Sequence, residues 1–353
     1  MPYRRVQPKA LLQPHDKMLL LQHGTTDLLA LAQRRGASLH KLLSGTGIFE
    51  QDLHKPLGRL SHQDWCKLIH NCQQQLSSPE IPFLLGMALL QNNYIALCQS
   101  LLFAADLQQA MRQLCQFRHQ LCPAFFPVIY QEQHHIVLEL KPALSMDGAV
   151  GKSGHPPHFM VCMLFALIVD LVKQQLGSSQ GLTLQLQHSE LSKPRHFSAW
   201  LDCEVSLEQP VNALRIHLGI WRQRFSQHHA DKYQAARRTC LQLNTIIERR
   251  SGLLEQIYRM QRRALPQMLT LEQVATQLGT NSSALRRQLS LQHTSFAKLA
   301  DEVRQDTARR LLQSAQYSNR QLANRLGYSD EHNFRRAFKR WTGILPSHFR
   351  DIF

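Results

Sequence analysis

Asn319-Arg-Gln-Leu-Ala-Asn-Arg-Leu-Gly-Tyr-Ser-Asp-Glu-His-Asn-Phe-Arg-Arg-Ala-Phe-Lys-Arg-Trp341 sets the organisation of the chain. Leu322, Ala323 and Leu326 recur at helical spacing, and Gly327 then breaks the pattern. Ser329 or Asp330 can cap a second helix whose buried side is Phe334, Ala337 and Phe338. Helix, glycine turn and capped helix make the layout of a helix-turn-helix. The second helix offers Arg335, Arg336, Lys339 and Arg340, side chains suited to phosphates and guanine edges.

The stretch has a near-copy upstream. Gln273-Val-Ala-Thr-Gln-Leu-Gly279 aligns with Gln321-Leu-Ala-Asn-Arg-Leu-Gly327, and Leu285-Arg-Arg287 aligns with Phe334-Arg-Arg336 after a turn one residue shorter. Each copy has an Ala (275, 323) where two helices cross closely. Each has a Gly (279, 327) where the turn needs positive φ, and a bulky anchor (Leu285, Phe334) on the second helix. Between the copies, Lys298 to Gln316 carries Leu299, Val303, Ala308, Leu311, Leu312 and Ala315 at helical spacing. A helix of about 17 residues is roughly 25 Å long. Such a spacer would hold two reading heads about one turn of DNA apart, roughly 34 Å. A helical bundle that binds protein is the alternative, and the twin Arg-Arg pairs on both exposed faces argue against it.

Composition agrees with a polyanionic partner. The 353 residues are long enough for two domains, and a hydrophobic content of 43% excludes a disordered chain. The net charge of +16 points to nucleic acid first and an anionic membrane surface second. From Glu255 onward there are 16 Lys and Arg against 8 Asp and Glu, so half of that charge lies upstream. The eight cysteines all precede residue 250, none forms Cys-x-x-Cys, and no secretory signal follows Met1. Buried free thiols in a reducing cytoplasm are expected, with a redox pair Cys115/Cys122 as the alternative. The most apolar run, Phe159 to Val169, is 11 residues, too short to span a bilayer, and reads as a buried helix.

Residues 1–25 carry Pro2, Pro8 and Pro14 without periodicity and read as a loose arm. Helices are expected at Leu28–Ala32, at Leu39 after Ser38, and after the capping box Ser61/Asp64, with Trp65, Leu68, Ile69 and Cys72 inward. Three more are expected at Phe83–Leu90, Ile95–Leu102 and Leu107–Leu121. Alternation predicts strands at His135–Leu140 and Leu182–His188, with shorter ones at Val205–Leu207 and Ala213–Leu218. A loop is expected over Gly148–Pro157, followed by the buried helix to Leu176. The polar stretch Arg222–Arg250 reads as a linker helix. The fold class is therefore mainly α, an α+β sensor domain followed by an all-α domain with two helix-turn-helix motifs joined by a linker helix. The domains are 1–225 for effector binding and dimerisation, 226–252 for the linker helix, and 253–353 for DNA binding.

Gly327-Tyr-Ser-Asp-Glu-His-Asn-Phe-Arg-Arg-Ala-Phe-Lys-Arg-Trp-Thr-Gly343, with Pro346-Ser-His-Phe-Arg350, resembles the signature of the AraC/XylS family of transcription regulators. Thr294-Ser-Phe and Asp301-Glu-Val-Arg304 resemble the segment between that family's two motifs. The family has Ser or Thr where this chain has Leu345, a departure away from DNA. Lys41-Leu-Leu-Ser-Gly-Thr-Gly47, Leu84-Leu-Gly-Met-Ala-Leu-Leu90 and Leu107–Pro123 resemble the sensor of the ornithine- and amino-acid-responsive subgroup, which is not a cupin barrel.

The resemblance implies that each second helix lies in a major groove. It places Ser283, Arg286 and Arg287 in the first motif, and His332, Arg335 and Arg336 in the second, at base-reading positions. An arginine can pair bidentately with guanine N7 and O6, or contact phosphate and position without specifying. Lys339 and Arg340, later on the helix, read as phosphate contacts; His332 reads equally as base contact or solvated cap neighbour. Implied partners are double-stranded DNA with a bipartite operator, RNA polymerase, a small-molecule effector and a second copy of the chain, without a membrane.

No catalytic signature occurs: Gly-x-Ser-x-Gly, a phosphate loop and a dinucleotide fingerprint are all missing. His134-His135, His155-Pro-Pro-His158 and His228-His229 hint at metal, but neighbouring histidines on a strand face opposite ways and no ligand-spaced thiolates or carboxylates accompany them. No enzyme, metal or cofactor is expected. The residues favour an effector-controlled regulator, most simply an activator. The alternatives are control by protein contact, redox or abundance, and an unrecognised catalytic domain fused to a DNA-binding one.

Overall fold

The computed structural model describes residues 11–55, 57–144, 156–187, 198, 201–247, 251–313 and 316–352. The chain divides into two units, one of Leu12–Ile129 with His135–Ser251, the other built on Gly252–Phe353.

The first unit opens with β1 (Lys17–Leu20), α1 (Thr25–Gln33) and α2 (Leu39–Leu43), then β2 (Arg59–Ser61) and α3 (His62–Gln75). Residues 11–25 are thus no loose arm. β1 pairs antiparallel with β2, and Leu12, Met18, Leu19, Leu20 and Leu21 are buried. That pairing joins segments about forty residues apart, so no local periodicity announces it. The capping box at α3 forms as expected: Ser61 Oγ accepts from Asp64 N at 3.1 Å, and Ser61 N donates to Asp64 Oδ2 at 3.0 Å. Trp65, Leu68, Ile69 and Cys72 fall on its buried side.

Next come α4 (Ile81–Gln91), α5 (Ala96–Leu102) and α6 (Leu107–Phe117), the last capped by Asp106, whose carboxylate accepts from Gln109 N at 2.7 Å. A short 3-10 turn, Arg118–Gln120, leads toward β3 (Phe125–Glu132) and β4 (His135–Pro142). After α7 (Pro156–Leu176) follow β5 (Leu182–Gln185), β6 (Glu204–Ser206), β7 (Ala213–His217), α8 (Leu218–Trp221) and α9 (Ala230–Ile246). The sheet order is β3-β4-β7-β5-β6; β7 pairs antiparallel with both β4 and β5, and β5 pairs parallel with β6. The expected loop before α7 lies outside the described residues save Pro156 and Pro157, as does the end of the Leu182–His188 strand.

Helix α7 is the spine of this unit. Its stretch Pro157–Leu176 is long and apolar enough to cross a bilayer, which corrects the reading that it is too short. Burial of 78% of its apolar window inside the protein makes it a core helix instead. It crosses α4 so closely that a Cβ on Gly86 would fall on the Met163 carbonyl oxygen and 2.9 Å from Ala166 Cβ. Only a glycine admits that approach. β4 departs from alternation: Ile136 to Lys141 are all buried, and the Glu139 and Lys141 side chains, on one face, pair at 2.7 Å.

The expected linker helix is α9, and it is seated rather than free. Tyr233 and Cys240 are buried on its inner face, and Gln113 Nε2 donates to Tyr233 Oη at 2.5 Å. Gln120 Nε2 donates to Cys240 O at 2.7 Å and to Asn244 Oδ1 at 2.9 Å.

From Leu253 onward the regular elements are all helices: α10 (Leu253–Ala264), α11 (Leu271–Gln277), α12 (Ser282–Leu291), α13 (Phe296–Gln313), α14 (Asn319–Arg325), α15 (Glu331–Thr342) and α16 (Pro346–Ile352). The second unit has two cores. One gathers Leu253, Leu254, Ile257, Leu271, Val274, Ala275, Leu285 and Leu289, and Leu299 of α13 joins it. The other gathers Leu322, Ala323, Leu326, Phe334, Phe338 and Phe349, and Ala308 and Leu312 of α13 join it. The spacer helix is therefore shared between the two cores.

Candidate nucleic-acid interface

The repeat extends to individual hydrogen bonds. Thr270 and Gln273 close a capping box at α11, and Ser318 and Gln321 close the same box at α14. These Ser/Thr-x-x-Gln signals stand in the sequence itself. The turns match as well: Gly279 N donates to Thr276 O at 3.1 Å and Gly327 N to Asn324 O at 3.2 Å. Thr280 N reaches Ala275 O, and Tyr328 N reaches Ala323 O, each at 2.9 Å. Both glycines have positive φ, +70° and +76°. The second helices start on Asn281, which accepts from Ala284 N at 2.8 Å, and Asp330, which accepts from Asn333 N at 2.7 Å. The latter bond is the main reason the Asp330 carboxyl sits below its usual range. Asp330, rather than Ser329, is thus the cap.

These caps orient the exposed faces of the two second helices. Ala275, Ala323, Leu285 and Phe334 are buried, so the residues between them in the helical cycle face out. Ser283, Arg286 and Arg287 are exposed on α12, and His332, Arg335, Arg336, Lys339 and Arg340 are exposed on α15. Among the described residues no ion pair holds Arg287, Arg335, Arg336 or Lys339. Arg340 differs: its Nη2 meets Asp301 Oδ2 on α13 at 2.7 Å. Other cations of this unit serve its own structure. Arg350 donates to Tyr317 O at 2.9 Å and Asn319 Oδ1 at 2.8 Å, and Arg325 lies 4.5 Å over the Tyr317 ring.

The spacer α13 has 18 residues, hence about 27 Å of rise. A buried polar link secures it to α10: Tyr258 Oη donates to Asp306 Oδ2 at 2.8 Å, and Arg309 Nη2 meets Asp306 Oδ1 at 2.9 Å. Gln261, fully buried, fixes the loop before α11 by accepting from Leu269 N and donating to Leu269 O, each at 3.0 Å. Neither link leaves a trace in periodicity.

In the first unit His135 and His217 form a cross-strand edge-to-face pair, centroids 5.5 Å apart. Among the described residues no three His, Cys, Asp or Glu side chains are grouped to hold a metal; His155 lies outside them. Seven thiols are buried and Cys115 is half-buried. Burial pushes the seven buried thiols up, Cys66 and Cys122 to about 12, so they stay protonated and unreactive.

Comparison with known proteins agrees with this architecture. A family model described as the arabinose-binding N-terminal domain of the AraC transcription regulator matches residues 36–225, more than half of the chain. A helix-turn-helix domain model matches residues 274–352. The ornithine utilization regulator of Pseudomonas aeruginosa is 25% identical over 324 residues, 92% of this chain and 94% of its own. The urease operon transcriptional activator of Escherichia coli is 38% identical over 80 residues, 23% of this chain and 27% of its own. The crystal structure of the transcriptional regulator CdpR from Pseudomonas aeruginosa covers 93% of this chain and 98% of its own, at 18% identity and a TM-score of 0.45. With two helix-turn-helix motifs behind an N-terminal sensor, the chain belongs to the AraC family of DNA-binding transcription regulators.

Proposed function

We propose that this protein activates transcription from a bipartite operator in response to a small molecule held by its N-terminal unit. The observation that carries the reading is the pair of exposed Arg-Arg faces, Arg286-Arg287 and Arg335-Arg336, presented by two cores that share α13. The four arginines read base edges, with Ser283 and His332 beside them. Lys339 contacts phosphate, and Arg340 orients α15 through Asp301. RNA polymerase and a second copy of the chain are the protein partners of this reading, and the cytoplasm is its compartment. The full-length likeness to a regulator named for ornithine utilization supports control by a small metabolite.

Mapping the DNA occupied in cells, followed by footprinting of recovered sites, tests the operator. Two protected motifs about 10 base pairs apart per protomer are expected. One protected motif, or a spacing off the helical repeat, refutes the double-groove reading. For the effector, amino acids, polyamines, fatty acids and aromatic acids are screened by thermal shift. A ligand raises stability by RT ln(1 + [L]/Kd), a visible change at millimolar concentration.

A further inference from the structure

The two helix-turn-helix motifs share their geometry but not their charge. Residues 270–291, the first motif, carry Arg286 and Arg287 against one acid, Glu272. Residues 318–342, the second, carry Arg320, Arg325, Arg335, Arg336, Lys339 and Arg340 against Asp330 and Glu331. Both of those acids are engaged within the motif: Asp330 caps α15, and Glu331 Oε1 accepts from Asn319 Nδ2 at 3.1 Å. Arg325 and Arg340 are engaged as well, with the Tyr317 ring and with Asp301. Four exposed cations, Arg320, Arg335, Arg336 and Lys339, have no ion pair among the described residues.

The contrast is greatest at one pair of matching positions. Glu272 and Arg320 are the second helical residues of α11 and α14, each two residues after its capping Thr270 or Ser318. Both are exposed. Glu272 suits its place, because an acid in the first turn meets the positive end of the helix. Its own backbone N–H and the Thr270 side chain, with a smaller contribution from Arg286, hold its carboxyl below the usual range. It therefore stays charged, within the field of Arg286. Arg320 is the reverse case. A cation in the first turn faces the positive end of the helix, and no acid stands in the first turn of α14 to offset it. Folding gains nothing from an arginine there.

We propose that Arg320 is a further phosphate contact and that the two motifs bind DNA with unequal weight. The second anchors the protein through charge; the first, with Glu272 in the matching place, adds discrimination with little charge. The proposal rests on the reading that both motifs meet DNA. In a helix-turn-helix the first helix crosses the phosphate backbone while the second enters the groove. A phosphate beside the start of α14 supplies the counter-charge that the protein withholds from Arg320. Beside the start of α11 the same phosphate would meet Glu272 and be repelled. The half-site under the second motif therefore loses affinity steeply as salt rises, and the half-site under the first loses less.

The test uses the full chain, with affinities measured across a salt series on a recovered operator and on a random-sequence duplex. Arg320→Gln should lower the slope of log K against log salt by about one on both duplexes. It should weaken binding to all single-base operator variants alike, and Arg320→Lys should keep the slope. Glu272→Arg should raise the slope by about one and tighten binding to random DNA, with base preferences unchanged. Arg320→Gln should melt no lower than the wild type, since no acid of the protein pairs with Arg320. An unchanged slope for Arg320→Gln overturns the contact, and a lowered midpoint beside it would make Arg320 structural. A Glu272→Arg variant that gains nothing overturns the account of the first motif. A footprint with one protected half-site instead of two overturns the double-motif reading itself, whatever the slopes.

Discussion

The Arg340 guanidinium donates to Asp301 Oδ2 at 2.7 Å, tying α15 to spacer helix α13. Asp301 also meets Arg304 at 3.6 Å, so one carboxylate serves two cations. The Arg340 side chain is 66% exposed, and an exposed pair of this kind contributes about 0–1 kcal/mol to stability. What the pair does is hold a long side chain against α13. Arg340→Ala should therefore leave the slope of log K against log salt nearly unchanged. Lys339→Ala, one residue earlier and unpaired with any described acid, should reduce that slope by about one. Equal slope changes would mean that Arg340 abandons Asp301 for phosphate.

Arg335 and Arg336 lack such a tether. Arg336→Ala should lower discrimination at one or two base pairs by about 1–3 kcal/mol, and Arg287→Ala should do so in the other half of the operator. Binding to a panel of single-base operator variants reads this out. A loss that is uniform across the panel would make the residue a phosphate contact.

The second unit was legible because its constraints are local. Ala323, Gly327 and Phe334 fix a helix crossing, a turn and an anchor within twelve residues, and the copy at Ala275, Gly279 and Leu285 repeats them. The first unit was less so. β3 was missed because Pro127 interrupts its apolar run, yet the order β3-β4-β7-β5-β6 puts it at the sheet edge, where a proline need not donate. β1 was missed because its partner β2 lies forty residues on. The burial of Arg118 gave no signal at all, since a lone arginine after a helix reads as surface. The helix Ala230–Ile246 is legible in the composition of Arg222–Arg250, but its seating depends on Gln113 and Gln120, about 120 residues away in sequence.

Gly327 carries two constraints that can be separated. Its φ is +76°, and a Cβ there would fall on the Pro266 carbonyl oxygen, far inside contact distance. Gly343, with φ +79°, has nothing within 4 Å of the same hypothetical Cβ. Gly343→Ala should cost about 1–2 kcal/mol, from the left-handed backbone alone. Gly327→Ala should cost about 1–3 kcal/mol more, because backbone must shift. Denaturant midpoints of the two variants decide it, and equal losses would show that the loop at Pro266 yields freely.

His62 gives the first unit a defined acid sensitivity. It is 4% exposed at the start of α3, with Nε2 3.4 Å from Cys66 Sγ, and burial lowers its pKa to about 4. The unfolded chain protonates this group near 6.5, so below that pH the unfolded state binds the extra proton first. The stability present above pH 6.5 is then lost as pH falls toward 4, and no further below it. The full loss is about 3 kcal/mol, of which about 2 kcal/mol has gone by pH 5. His23, also buried and lowered, acts in the same direction, so the contribution of His62 must be isolated by difference. His62→Gln cannot take up the proton. Its urea midpoint should fall less between pH 7.5 and pH 5.0 than that of the wild type. Parallel falls in the two proteins would show that His62 is reached by solvent and titrates as an ordinary imidazole.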